Sequence, residues 1–245
     1  MKLTPIILLI FIASACNNNS HNQGCYIDLI NDVTDPHILR PQSQSILELF
    51  NLSENKSMSA NFRYSEITDL SLVPVTTFYL PDEASSENRN IKNEPLFREK
   101  LILSFYDSIR KTLSNANTKR DSSFLNNSEC FQSICNELNI LAQSNCTTKV
   151  LIVFSNLFEN SKFLNIYARN TRKLLYKHPQ EIKKIFQNTH LLPDHLNGIT
   201  TVFVYQPKDR ADDQLFNAMV EVYKSLLQER GAKVIIQANN THYTL

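Results

Sequence analysis

Apolar positions along the chain fall into two rhythms. Short runs that are apolar or β-branched at almost every position occur at 25–30, 149–155, 199–205 and 232–237, and they predict strands. The unbroken apolar stretch 150–154 predicts a central strand covered on both faces. Longer segments carry helical spacing instead: 41–51 through Ile46, Leu47 and Phe50; 95–114 through Leu101, Phe105, Ile109 and Leu113; 128–142 through Phe131, Ile134, Leu138 and Leu141. The clearest is 209–229, where Leu215, Phe216, Met219, Val220, Tyr223, Leu226 and Leu227 make one apolar face, acidic residues open the helix and Gly231 lies just past its end. Segments 60–68 and 72–80, joined around Thr68-Asp69, read as an extended hairpin that gives the sheet an antiparallel edge. Segment 165–189 is basic and weakly amphipathic and predicts two short helices broken at His178-Pro179; 82–94 is polar and predicts a surface loop. Strands alternating with helices predict an α/β fold: three layers around a doubly wound, mainly parallel sheet with one antiparallel edge strand.

Composition narrows the chemistry. The chain has 245 residues, 42% hydrophobic and 20% charged, enough for one domain with a sizeable core. Glycine is the anomaly. Only 3 are present, Gly24, Gly198 and Gly231, where average usage would give about 17. A Walker-type loop and a G-x-G-x-x-G fingerprint both need clustered glycines, so the counting excludes them and no nucleotide is expected. The formal net charge is +1, without long blocks of like charge, and no nucleic-acid partner is expected either.

The amino-terminal segment has its own grammar. Lys2 precedes the apolar run 6–12, which is too short to span a bilayer, and Ala13-Ser14-Ala15-Cys16 follows. Small residues running into a cysteine resemble the lipobox of bacterial lipoproteins. That resemblance implies a signal peptide over 1–15, a diacylated Cys16 (with palmitate or a related acyl chain), a polar tether over 16–24 and a single domain over 25–245, held at a membrane of the bacterial cell envelope and facing the periplasm or the outside. Without Lys2 the basic and acidic side chains balance at 24 each, so attachment would rest on acyl chains and not on charge. The tether spans at most about 30 Å. The amino ends of the parallel strands are then expected to face the membrane and their carboxyl ends to face away. Cys25, Cys130, Cys135 and Cys146 remain; free thiols and disulfides are both open, although Cys130 and Cys135 lie roughly 140° apart on a helix and should not pair with each other. No zinc-type spacing occurs.

Ligand sites in open parallel sheets lie beyond the carboxyl ends of the strands. Three segments there carry suggestive residues: Asp28 and then Asn31-Asp32-Val33-Thr34-Asp35-Pro36; Asn126-Asn127-Ser128-Glu129; and Phe154-Ser155-Asn156-Leu157-Phe158-Glu159-Asn160-Ser161. These resemble the three loops of the metal-ion-dependent adhesion site of von Willebrand factor A-like domains, above all the bacterial lipoprotein members that read Asp-Val-Thr-Asp-Pro and Phe-Ser-Asp-Leu-x-Glu-Asn-Ser. The resemblance covers about 25–240. It implies a von Willebrand factor A-like fold and a site drawn from Asp28, Asp32, Thr34, Ser128 and Asn156, taking Mg²⁺ or Ca²⁺. Such an ion wants oxygen ligands and keeps open positions for water or a partner's carboxylate.

The pattern also departs from that family. A motif opening at Asp28 puts Ile30 where a hydroxyl is needed; one opening at Asp32 gains Thr34 but meets Pro36, and is the better match. Asn156 stands where the family has aspartate, one negative charge fewer. The same residues are good turn and cap formers, so a weak metal site and a remnant that binds no metal both stay open. The expected function is a membrane-anchored, non-enzymatic binding module for a protein partner in or outside the envelope. The alternatives are a metal-dependent hydrolase around Asp28 and Asp32, or an inert structural lipoprotein. Only His37 lies beside a motif, and no Ser-His-Asp or Cys-His arrangement is evident.

Overall fold

The computed structural model describes residues 24–68, 75–83, 95–118, 127–239 and 243. Six strands form one sheet: β1 (Gly24–Asp32), β2 (Ser59–Ile67), β3 (Val75–Leu80), β4 (Thr148–Phe154), β5 (Ile199–Val204) and β6 (Lys233–Gln237), in the order β3-β2-β1-β4-β5-β6. All neighbours pair parallel except β2 with β3, which is antiparallel at the edge. The helices are α1 (Ser43–Glu48), α2 (Pro95–Thr118), α3 (Cys130–Gln143), α4 (Arg169–Lys177), α5 (Pro179–Gln187) and α6 (Arg210–Gln228). The architecture is therefore the three-layer, mainly parallel α/β sheet with one antiparallel edge.

Neighbouring residues of β2 sort the two layers, because successive side chains on a strand point to opposite faces. Phe62 meets Phe50 beside α1 and, through it, Phe105 of α2. Arg63 instead reaches Glu137 of α3. On that second face Phe131 of α3 stacks on Phe186 of α5 at 4.2 Å, and Tyr223 of α6 joins both to Phe203 of β5. Residues 150–154 of β4 are all buried, as their unbroken apolar run requires.

Boundaries differ from the sequence expectation where polar residues are buried or turns are local. β1 continues through Asn31 and Asp32, both buried, so the tip of the strand is polar and still part of the sheet. α1 stops at Glu48, because Asn51 takes a left-handed φ of 47° and turns the chain. α2 runs on to Thr118. α3 begins at Cys130 and not at Ser128, since Ser128 is held in a backbone bridge to Asn160. β2 ends at Ile67 and β3 is described from Val75; residues 69–74, with Asp69 and the expected strand start at 72, lie outside the described residues, as do 84–94, Asn126, Cys16 and the tether up to Gln23. The basic segment does split at His178-Pro179, where Pro179 opens α5. Cys25, Cys130 and Cys135 are buried free thiols, and Cys146 is a half-buried one.

Gly231 has φ +93°, and its amide donates to the Gln228 carbonyl as α6 ends. A Cβ there would sit 2.0 Å from the Asn197 amide oxygen, so this turn needs glycine twice over.

Candidate functional site

Parallel neighbours carry β1 and β4 side by side to their carboxyl ends, so the loop after Asp32 and the loop after Phe154 emerge together. α3 starts over the same end. Three segments distant in sequence thus meet around one carboxylate.

That carboxylate is Asp32, fully buried. Its Oδ1 accepts the Thr34 backbone N–H at 2.9 Å and the Thr34 hydroxyl at 2.6 Å. Its Oδ2 accepts the Ser155 hydroxyl at 2.6 Å and, at 3.9 Å, the Cys130 thiol. Ser128 Oγ lies 3.4 Å from Thr34 Oγ1 and 3.1 Å from Cys130 Sγ. Burial, then Asp32 and Glu159, push the Cys130 thiol well above its ordinary range, so it stays protonated and serves as a donor.

Asn156 belongs to a second group beside the first. Its Nδ2 lies 3.4 Å from Asp35 Oδ2, and that oxygen also holds Lys208 Nζ at 2.8 Å. Lys208 comes from the β5–α6 loop, whose shape is set by Asp212 accepting both the Tyr205 hydroxyl and the Lys208 N–H, and by Asp209 capping α6.

The wall behind Asp32 is made by Glu159. Its Oε2 accepts the Phe131 N–H at 2.8 Å, serving the open amino end of α3. Burial pushes this carboxyl up to about 7, against the downward pull of Ser161 and the Phe131 amide. Asn160 pairs through its backbone with Ser128 in both directions, clamping the β4 loop onto the start of α3. Over the rim stands Tyr167, raised to about 12 by burial and then by Cys130, Asp32 and Asp35.

Of the residues singled out from sequence, Asp32, Thr34 and Ser128 come together, and Asn156 adjoins them through Asp35. Asp28 does not join them. It lies four residues back along β1, about 13 Å from the tip, under the body of α3. Arg63 Nε is 3.9 Å from its carboxylate and 2.5 Å from Glu137 Oε2. Neither Asp28 oxygen receives a hydrogen bond, and burial followed by the nearby Glu137 pushes the group well above the ordinary carboxylate range, outweighing Arg63. Sequence reasoning left Ser155, Cys130, Glu159, Lys208 and Tyr167 out of the site. Ser155 and Glu159 stood in the quoted loop with Asn156, and Cys130 directly follows the quoted Ser128-Glu129, so these three could have been found; Lys208 and Tyr167 come from outside the quoted segments with no local signal.

The donor set fits a hard cation only weakly. Asp32, Thr34 and Ser128 offer oxygens, but Asn156 is neutral and its Oδ1 already accepts the Phe158 N–H at 2.9 Å. The second carboxylate, Asp35, is balanced by Lys208. Among the described residues, no three or more His, Cys, Asp and Glu side chains gather as a metal-binding group. No family model matches the chain, and no curated protein matches it. No helix among the described residues is long and apolar enough to cross a membrane.

Proposed function

We propose that the chain is a non-enzymatic binding module of the von Willebrand factor A-like lipoprotein kind, anchored through Cys16 in the bacterial cell envelope and engaging a protein partner. One observation carries the reading: the loops after β1 and β4 and the start of α3 converge on a buried aspartate ringed by hydroxyls at the carboxyl ends of the central strands. Open parallel sheets offer their ligand sites at that end. With a tether of at most about 30 Å from Cys16 to the amino end of β1, this end of the sheet faces away from the membrane and toward a partner.

A divalent cation is a secondary part of this reading. Asp32, Thr34, Ser128 and Asn156 would hold Mg²⁺ or Ca²⁺, and the ion would offer an open position to a partner's carboxylate. One uncompensated carboxylate makes that affinity low. Calorimetric titration of the full-length protein with Mg²⁺ and Mn²⁺ tests it: Asn156→Asp should bind roughly tenfold tighter than wild type, as one added charge near a divalent ion predicts. No heat from either protein removes the metal from the reading. The partner is tested separately by photoreactive residues at His37 and Lys162, on the exposed rim. Protein adducts in intact envelopes support the module, and adducts with lipid alone overturn it.

A further inference from the structure

The rim of the site runs directly into an unusual helix. From Asn160 to Gln180 the chain holds Lys162, Arg169, Arg172, Lys173 and Lys177 and not one Asp or Glu. Four of these cations lie on α4 together with Tyr176, at positions 169, 172, 173, 176 and 177. That spacing is i, i+3, i+4, i+7 and i+8, and at 100° per residue it keeps all five side chains within about 140° of one another. All five are exposed, while Leu175 is buried on the opposite side. Among the described residues none of the four cations pairs with a carboxylate; Arg172 donates only to the Tyr167 carbonyl at 3.0 Å. On the neighbouring helices Lys184 is answered by Glu181 on α5 and Lys224 by Glu221 on α6. Tyr167, just before α4, and Tyr176, within the stripe, are 53% and 52% exposed.

We infer that the α4 stripe is a docking surface for an acidic segment of the protein partner. The inference rests on the binding-module reading and names the partner's chemistry. Charge complementarity is the first argument: four like charges held close together repel one another, and a chain of carboxylates relieves that repulsion. The second is composition, because arginine and tyrosine are the residues most enriched in interface cores. The surroundings select among polyanions. α4 has no free apolar face to enter a bilayer, since Leu174 and Leu175 turn toward the protein. Asp209, Asp212 and Asp213 open α6 at the same end of the sheet, and α6 packs against α4. Carboxylates there repel any polyanion that runs past the stripe, so the occupant is confined to a short acidic segment along α4.

The test uses the full-length protein and a fluorescent oligoglutamate peptide, followed by anisotropy at low and at physiological salt. Arg169→Glu/Lys173→Glu/Lys177→Glu should weaken binding by roughly tenfold or more, and the corresponding triple glutamine variant by an intermediate factor. Lys100→Glu/Lys111→Glu/Lys224→Glu, which changes net charge equally on other helices, should shift affinity by less than about twofold. Circular dichroism confirms that each variant is folded. Equal losses in the two glutamate triples would reduce the effect to net charge and overturn the inference. So would no peptide binding by wild type, or an α4 reversal that weakens capture on phosphatidylglycerol-containing vesicles but not peptide binding. Any of these results, with protein adducts still forming at His37 and Lys162, would leave the binding module standing without this surface.

Discussion

Asp32 holds three separate segments of backbone together, so its removal should be felt first as lost stability. In Asp32→Ala, the Thr34 N–H, the Thr34 and Ser155 hydroxyls and the Cys130 thiol all lose their acceptor in a spot with no solvent access. Hydrogen bonds to a charged group contribute about 1.5–3 kcal/mol each. The hydroxyls can rotate to other acceptors: Thr34 Oγ1 has Ser128 Oγ at 3.4 Å and Ser155 Oγ has Cys130 Sγ at 3.6 Å. The Thr34 amide cannot rotate. Removing a desolvated charge returns part of the loss, and the net cost works out at about 3–5 kcal/mol. With a urea slope of about 2–3 kcal/mol/M, the midpoint should fall by roughly 1–2.5 M. Asp32→Asn keeps one oxygen for the Thr34 pair and should cost about 1–2 kcal/mol. Urea melts of the full-length protein followed by far-UV circular dichroism read both. An alanine variant within about 1 kcal/mol of wild type would refute the reasoning, as would an asparagine variant as unstable as the alanine one. The magnitude also explains why Asn156→Asp, and not an Asp32 variant, is the right probe for metal.

Two further outcomes follow from buried groups outside the Asp32 cluster. Glu159 is raised by burial from an ordinary 4.5 to about 7, so the folded state holds a proton that the unfolded state has already released. Its contribution is complete below about pH 4.5 and is lost as pH rises through about 7, a change on the order of 3 kcal/mol; urea midpoints should fall between pH 5 and pH 8, and Glu159→Gln should flatten that fall. Arg98 donates to the backbone carbonyls of Lys56, Met58 and Pro81 at 2.6–2.7 Å, fastening α2 to the ends of β2 and β3. Arg98→Met should cost about 3–4 kcal/mol in a thermal or urea melt, and Arg98→Lys should recover only part, because an ammonium cannot reach three divergent carbonyls in one plane.

The sheet was legible because each central strand is covered on both faces and so reads as a solid apolar run, and because α6 carries its apolar face without interruption. What misled was polarity at the strand ends. Asn31 and Asp32 look like loop residues, yet β1 continues through them, since Asp32 is satisfied by hydroxyls that arrive from 34 and 155. Ser128 looks like the cap of α3. The open amino end of that helix is served instead by the Glu159 carboxylate, 28 residues away in sequence, and Ser128 is left to bridge Asn160. Lys208 is beyond the reach of any local pattern, because its meaning comes from Asp35, 173 residues earlier.

Scarcity of glycine ties the poor fit for a cation to the shape of the loops. With none available after β1 or β4, these loops turn by folding a side-chain oxygen onto the backbone N–H two residues on. Asp32 takes the Thr34 amide, Asp35 the His37 amide, Ser155 the Leu157 amide, Asn156 the Phe158 amide, Ser161 the Phe163 amide and Asn165 the Tyr167 amide. Leu157 shows what this demands, since it holds a left-handed φ of 60° that a glycine would adopt without strain, at a cost of about 1 kcal/mol. Every such turn spends a lone pair that a cation would otherwise use. Asn156 is the sharpest case: its amide oxygen braces Phe158 while its nitrogen faces Asp35, so only the oxygen's second lone pair is left for a cation. An aspartate at 156 could brace the same amide with one oxygen and keep the other for a metal. The oxygens that resemble a cation site are thus largely committed to holding the loops, and what those loops present outward is a rigid rim leading into the cationic stripe of α4.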